Sequence, residues 1–178
     1  MNRRVLLLTI GLFFVLVAPA VAQESSDLQA GDPETRKLME QASRFFLDGD
    51  YERAISPYQK ALDRERANRT LSDTLWRVLV DNLGMSYGIS GDLKKAKDTF
   101  EYGLSKDQKY PMFHYNMACT YAEMNEVDKT IEYLRHAFEF KDNMIKGEHF
   151  PDPWTDDSFQ RFMNNDKFVN ALKELTGR

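Results

Sequence analysis

One cysteine, three histidines, six prolines and nine glycines are spread over 178 residues, and each scarcity removes an option. A lone Cys119 cannot close an internal disulfide, so the fold has to rest on its apolar core. His114, His136 and His149 stand at no metal-ligand spacing, and HExxH and CxxC are both missing, so no metal site is expected. No GxSxG, GxxxxGK or GxGxxG occurs either, which leaves no nucleophile elbow, phosphate cradle or dinucleotide turn. The sequence therefore predicts no catalytic residues, no enzyme activity and no cofactor. Few glycines and prolines disfavour a turn-rich β fold. Nor is there an excess of base: 24 Lys and Arg face 28 Asp and Glu, a formal charge of −4 with no basic stripe. Nucleic acid and anionic membrane surfaces are poor partners for such a chain.

Long apolar runs are also scarce, with one exception at the start. Arg3 and Arg4 precede an uncharged run from Val5 to Val17, and Ala20-Val21-Ala22 has the small-x-small form that a signal peptidase recognises. The run is short for a bilayer span, which needs about 20 apolar residues. Residues 1–22 are thus expected to be a cleavable signal peptide, leaving Gln23 as the mature N-terminus, and the product to be periplasmic or secreted. Residues 1–22 hold two Arg and no acid, so the remainder is more acidic than the whole. Asn68-Arg69-Thr70 has the form of a glycosylation sequon.

What is present is a repeat. Ala42, Phe45, Gly49, Ala54, Tyr58 and Ala61 stand at the same offsets as Gly84, Tyr87, Gly91, Ala96, Phe100 and Gly103, and as Ala118, Tyr121, Asn125, Thr130, Leu134 and Ala137. Small residues at these places let two helices approach closely, and the aromatic and large apolar residues fill the space beside them. Gly49, Gly91 and Asn125 suit a positive φ just past a helix end. Apolar spacings of three and four specify helices. Copies two and three are 34 residues apart, from Gly84 to Ala118, and copies one and two are 42 apart, from Ala42 to Gly84. The eight extra residues, about two helical turns, fall around Arg64–Trp76 and predict a lengthened helix on each side.

The pattern resembles the tetratricopeptide repeat, with departures at Gln41 and Thr130 and no closing Pro in copy one. The resemblance implies an all-α, helical-hairpin solenoid of three such repeats over residues 33–144, after a linker at 23–32. Helix signals agree with six repeat helices near 33–48, 51–66, 71–89, 93–106, 111–124 and 127–141. Asp32-Pro33-Glu34 supplies a cap, a first-position Pro and a first-turn acid. Thr70-Leu-Ser-Asp73 reads as a capping box, and Pro111 can open the fifth helix. Residues 145–178 read as a loop with Gly147, Pro151 and Pro153, followed by short helices near 157–163, with Asp157 as cap, and 166–175. Phe159, Phe162, Phe168, Leu172 and Leu175 are their apolar residues, suited to cover the open flank of a last repeat. This C-terminal part is similar to the end-of-group module of bacterial repeat proteins, which points to the periplasm.

The resemblance also implies that the first helix of each repeat lines a concave face that binds a protein or peptide partner. The corresponding positions are Met39, Glu40 and Ser43 in copy one, Val78, Asp81, Asn82 and Met85 in copy two, and Met112, Tyr115, Asn116 and Cys119 in copy three. Asn82 and Asn116 occupy equivalent places, and an amide can pair with a peptide backbone in both directions; in that role both amides are expected to face solvent in the free protein, and the alternative is that both cap or bridge neighbouring helices. Asp81 and Glu40 would disfavour acidic ligands. An alternative is a structural subunit, a homo-oligomer formed through an apolar outer face, since Leu75, Trp76, Val78, Leu79 and Val80 are apolar almost all round their helix. An exposed Trp76 would favour that alternative; a lined groove would favour the adaptor.

Overall fold

The computed structural model describes residues 30–178, so the expected signal segment and linker residues 23–29 lie outside the described residues. Among the described residues the chain is all-α. The repeat helices are α1 (Pro33–Leu47), α2 (Tyr51–Ala67), α3 (Asp73–Ile89), α4 (Leu93–Lys106), α5 (Pro111–Glu123) and α6 (Val127–Glu139), followed by 3-10 turns at Lys141–Asn143 and Asp157–Phe162 and by α7 (Asp166–Thr176). The expected boundaries hold to within two residues. The helices flanking the insertion, α2 and α3, have 17 residues each, against 13 to 15 in the other repeat helices.

The three hairpin turns are built alike. The amides of Asp50, Asp92 and Glu126 donate to the carbonyls of Phe45, Tyr87 and Tyr121, and those of Gly49, Gly91 and Asn125 donate to Phe46, Gly88 and Ala122. This double closure of a helix end needs a left-handed residue, and Gly49, Gly91 and Asn125 have φ of 76°, 90° and 62°. Across the hairpins the small residues are fully packed: Ala42, Ala54, Ala96, Ala118 and Ala137 are all 0% exposed. Gly84 shows why: a Cβ there would stand 2.4 Å from the Phe100 ring.

Two sequence expectations about helix starts shift. Ser72, not Thr70, caps α3, its hydroxyl accepting from Leu75 N. Thr70 turns back instead: its amide and hydroxyl both donate to the buried Glu65 carboxylate, which also accepts from Leu71 N. At the C-terminal part, Asp156 rather than Asp157 is the cap, accepting from Ser158 N. In both places the buried partner outcompetes the position that local pattern favours.

The described chain divides into two compact units, residues 30–103 and Leu104–Arg178. In the first, the insertion is folded in: Trp76 is 2% exposed, with Arg69 over its ring at 4.6 Å and Tyr102 edge-on at 6.0 Å, while Arg66 covers Tyr102 at 4.2 Å. Among the described residues, Leu47 is the large hydrophobic left exposed. The exposed Trp76 patch that would favour assembly through an outer face is therefore not formed, because cation–π and aromatic contacts from the same unit cover it. In the second unit, Phe159, Phe162, Phe168, Ala171 and Leu172 join Ile131, Leu134 and Ala137 of α6 and Tyr115, Ala118 and Cys119 of α5 in one core. The C-terminal elements thus cap the third hairpin, as Phe168 and Leu172 predict. No helix among the described residues is long and apolar enough to cross a membrane.

Candidate functional site

In residues 30–103, the proposed positions on α1 and α3 meet at Tyr58 of α2. The Tyr58 ring is fully buried, and burial raises its phenol above the usual range. Asn82 Nδ2 donates to the phenol oxygen at 3.0 Å. The phenol proton is then left for Ser43 Oγ, also at 3.0 Å. One hydroxyl so ties three helices together. This corrects the expectation that the Asn82 amide faces solvent: it bridges helices, because a buried phenol oxygen needs a partner. Replacing Asn82 with Ala is expected to cost about 1 kcal/mol of stability, the net value of a partly buried hydrogen bond. Thermal unfolding of the variant checks this, and an unchanged melting temperature would detach Asn82 from the scaffold.

The remaining first-repeat and second-repeat positions separate by burial. Met39 and Asp81 are buried, Val78 and Met85 half-buried, and Glu40 exposed and paired with Arg44 one turn on. That pairing blunts the repulsion of acidic ligands expected from Glu40.

In residues 104–178 the expected face is covered by the chain itself. Tyr115 is 1% exposed, and its hydroxyl donates to Asp156 Oδ2 at 3.0 Å. Phe150 and Phe159 meet its ring edge-on at 5.6 and 5.7 Å. Burial foremost, then the neighbouring Cys119 and Asp156, pushes the phenol far up. Asn116 and Cys119 are buried too, and the Cys119 thiol is raised well above its usual range, first by burial and then by Asp156. A neutral buried thiol is a poor nucleophile. Asn116 is thus a second correction to the solvent-facing amides. Met112 stays half-buried against the same core. The reason is tertiary: apolar residues of 150–172 have to be buried somewhere, and the last hairpin's open flank takes them.

Among the described residues, a groove of about 550 Å³ is open in the first unit, lined by Pro33, Arg36, Lys37, Met39, Glu40 and Leu75. Sequence reasoning named Met39 and Glu40 and missed the other four. The signal was available: Pro33, Arg36 or Lys37, and Glu40 recur at three and four residues, one row along α1. Leu75 lies in the insertion, where the repeat offers no template. The groove joins an apolar floor to a charged rim, a combination suited to an extended segment carrying an apolar side chain. Among the described residues no group of three or more His, Cys, Asp or Glu side chains could hold a metal ion.

Comparisons with known proteins bear on the fold. Residues 113–143 match the family model for the tetratricopeptide repeat, which covers most of α5 and all of α6. No curated protein matches the sequence at a significant level. Among solved structures, the chain is similar to the tetratricopeptide-repeat domain of Sgt2 from Aspergillus fumigatus, with 21% identity, a TM-score of 0.57 and coverage of 84% of this chain and 85% of that one. It is also similar to the first such domain of Spaghetti (RPAP3), bound there to the HSP90 peptide SRMEEVD, with 15% identity, a TM-score of 0.55 and coverage of 83% and 94%. A third similar structure is the type III secretion translocator chaperone SycD of Yersinia enterocolitica in an alternative dimer, with 17% identity, a TM-score of 0.56 and coverage of 82% and 94%. At these identities the likeness is one of fold: tetratricopeptide-type helical hairpins.

Proposed function

We propose that this protein is an exported adaptor that holds an extended segment of a partner protein on the first-helix face of its N-terminal unit. The observation that carries the reading is the groove beside α1, with the buried Met39 and half-buried Leu75 as an apolar floor and the exposed Pro33, Arg36, Lys37 and Glu40 around it. A partner side chain would bury apolar area on that floor, and its backbone or polar groups would meet the rim. Two further observations support the placement. The equivalent face of α5 is filled by residues 150–159, and the one relative described above with a peptide bound shares this fold. Binding at this end leaves Asn82 and Ser43 as scaffold behind the site. Export rests on the Ala20-Val21-Ala22 cleavage pattern, and a periplasmic or secreted location follows from it.

Selection of segments from a displayed peptide library against the protein, followed by affinity measurement, tests the site. Leu75→Ala and Lys37→Glu should each weaken a selected segment by about tenfold, equivalent to about 1.4 kcal/mol, with little change in melting temperature. Segments that bind both variants as tightly as the parent would place the site elsewhere. Intact-mass measurement of the exported protein tests the other half: the reading requires a chain starting at Gln23, and a species retaining Met1 would count against export.

A further inference from the structure

Loop residues 107–110 lead into α5, and the first turn of that helix carries a histidine whose surroundings suit one protonation state. His114 is 7% exposed. Its Nε2 lies 2.8 Å from the carbonyl oxygen of Gln108, so Nε2 carries a proton and donates it. The other ring nitrogen, Nδ1, is buried with no hydrogen-bond partner. A neutral ring tolerates this, because an unused lone pair costs less than an unused N–H. Around the ring stand His136 at 5.4 Å, Phe140 at 5.5 Å and Tyr133 at 6.1 Å, centroid to centroid. The charged groups within reach are His136 and Glu139 on α6 and Asp107 in the loop. Glu139 lies 3.3 Å from Nδ1 of the half-exposed His136, so its charge is directed to that ring.

We propose that His114 is an acid-sensitive latch that holds the 107–110 loop and the α5–α6 hairpin closed near neutral pH and loosens residues 104–140 on acidification. A second proton on the His114 ring, at Nδ1, places an N–H where no acceptor lies and a positive charge in a buried site walled by rings. The folded chain resists that proton and an open loop does not. Burial, as the largest cause, holds the His114 ring below the usual histidine range, and His136 adds to it. The sign follows: a base whose folded affinity for protons is lowered takes up more protons when unfolded. Stability is therefore full above about pH 6.5, the ordinary histidine value, and falls as pH drops through and below it.

Amide hydrogen exchange on the full chain at pH 7.5 and pH 5.0, corrected for intrinsic rates, reads the latch by region. Protection should fall at pH 5.0 across 104–140 and hold across 33–103. His114→Phe keeps an aromatic ring and removes the titration, so its loss of protection at pH 5.0 should be less than half that of the parent. His136→Gln removes a neighbour that helps hold the His114 ring below the histidine range, so the loss at pH 5.0 should shrink. The ring-proton NMR titration of His114 supplies a direct readout, with a midpoint below that of a free histidine. Equal pH dependence in the parent and both variants, or a His114 midpoint at or above the free value, would overturn the proposal.

Discussion

Ending the chain after Asn165 is expected to unfold or aggregate the unit Leu104–Arg178. The cut removes α7, whose Phe168 and Leu172 are fully buried and whose Ala171 is nearly so. Phe168 packs its ring against Phe159 at 5.7 Å and Phe162 at 5.5 Å, and all of them close on Ile131 and Leu134 of α6. Two ion pairs also join α7 to α6, Lys167 with Asp128 and Arg135 with Glu174, but their side chains are at least half exposed. Exposed pairs of this kind contribute about 0–1 kcal/mol each. The apolar contacts decide the outcome: Phe168→Ala alone should cost about 3–5 kcal/mol, a large part of the 5–15 kcal/mol typical of a domain. Chemical denaturation of the point variant and size-exclusion chromatography of the truncated chain measure the effect. A truncated protein that stays monomeric with an unchanged melting temperature would contradict the capping role of α7.

Glu65→Ala is expected to be the most damaging single change in the first unit outside the apolar core. The carboxylate is 4% exposed and accepts from Thr70 N at 3.0 Å, Thr70 Oγ1 at 2.8 Å and Leu71 N at 3.1 Å. Thr70 Oγ1 in turn accepts from Asp32 N at 2.9 Å, which ties the start of α1 to the α2–α3 loop. Asp32 is itself held ionised by Thr35 N foremost and by Arg64, which lower its acid range. Truncation to Ala strands two backbone N–H groups and a hydroxyl, the Leu71 N–H buried and the Thr70 groups partly so. At about 1–3 kcal/mol for each unpaired buried group, less what relaxation recovers, a loss of about 3 kcal/mol is expected. Glu65→Gln keeps the shape and one acceptor oxygen but turns an NH2 toward donors, so it should fall between. The comparison of both variants by thermal unfolding distinguishes hydrogen bonding from packing; equal losses in the two would assign the effect to charge. The groove lies at the N-terminal end of α1, so Glu65→Ala should also weaken any ligand held by Pro33, Lys37 and Leu75.

The sequence by itself determined the helices, their hairpins and the three equivalent turns. These depend on interactions between residues a few positions apart, or on small residues at fixed offsets, and a periodic pattern records both. Gly84 against Phe100 and the positive φ of Asn125 are written in the register of the repeat. The capping of the last hairpin by Phe168 and Leu172 was legible too, because apolar residues on a short helix have to be buried somewhere. Which faces stay open was decided by tertiary structure alone. Nothing local to Tyr115 or Asn116 announces that Asp156, Phe150 and Phe159, some 35 to 44 residues later, will lie over that part of α5. Nothing local to Asn82 reveals the Tyr58 phenol that takes its amide, 24 residues away in the chain. The groove beside Leu75 depends on an insertion that the repeat does not describe, so its floor appears only once α1 and α3 are placed in space. The physical reason is common to all three cases. Helix formation is governed by contacts close in sequence, whereas solvent exposure of a side chain depends on every distant segment that competes to cover it.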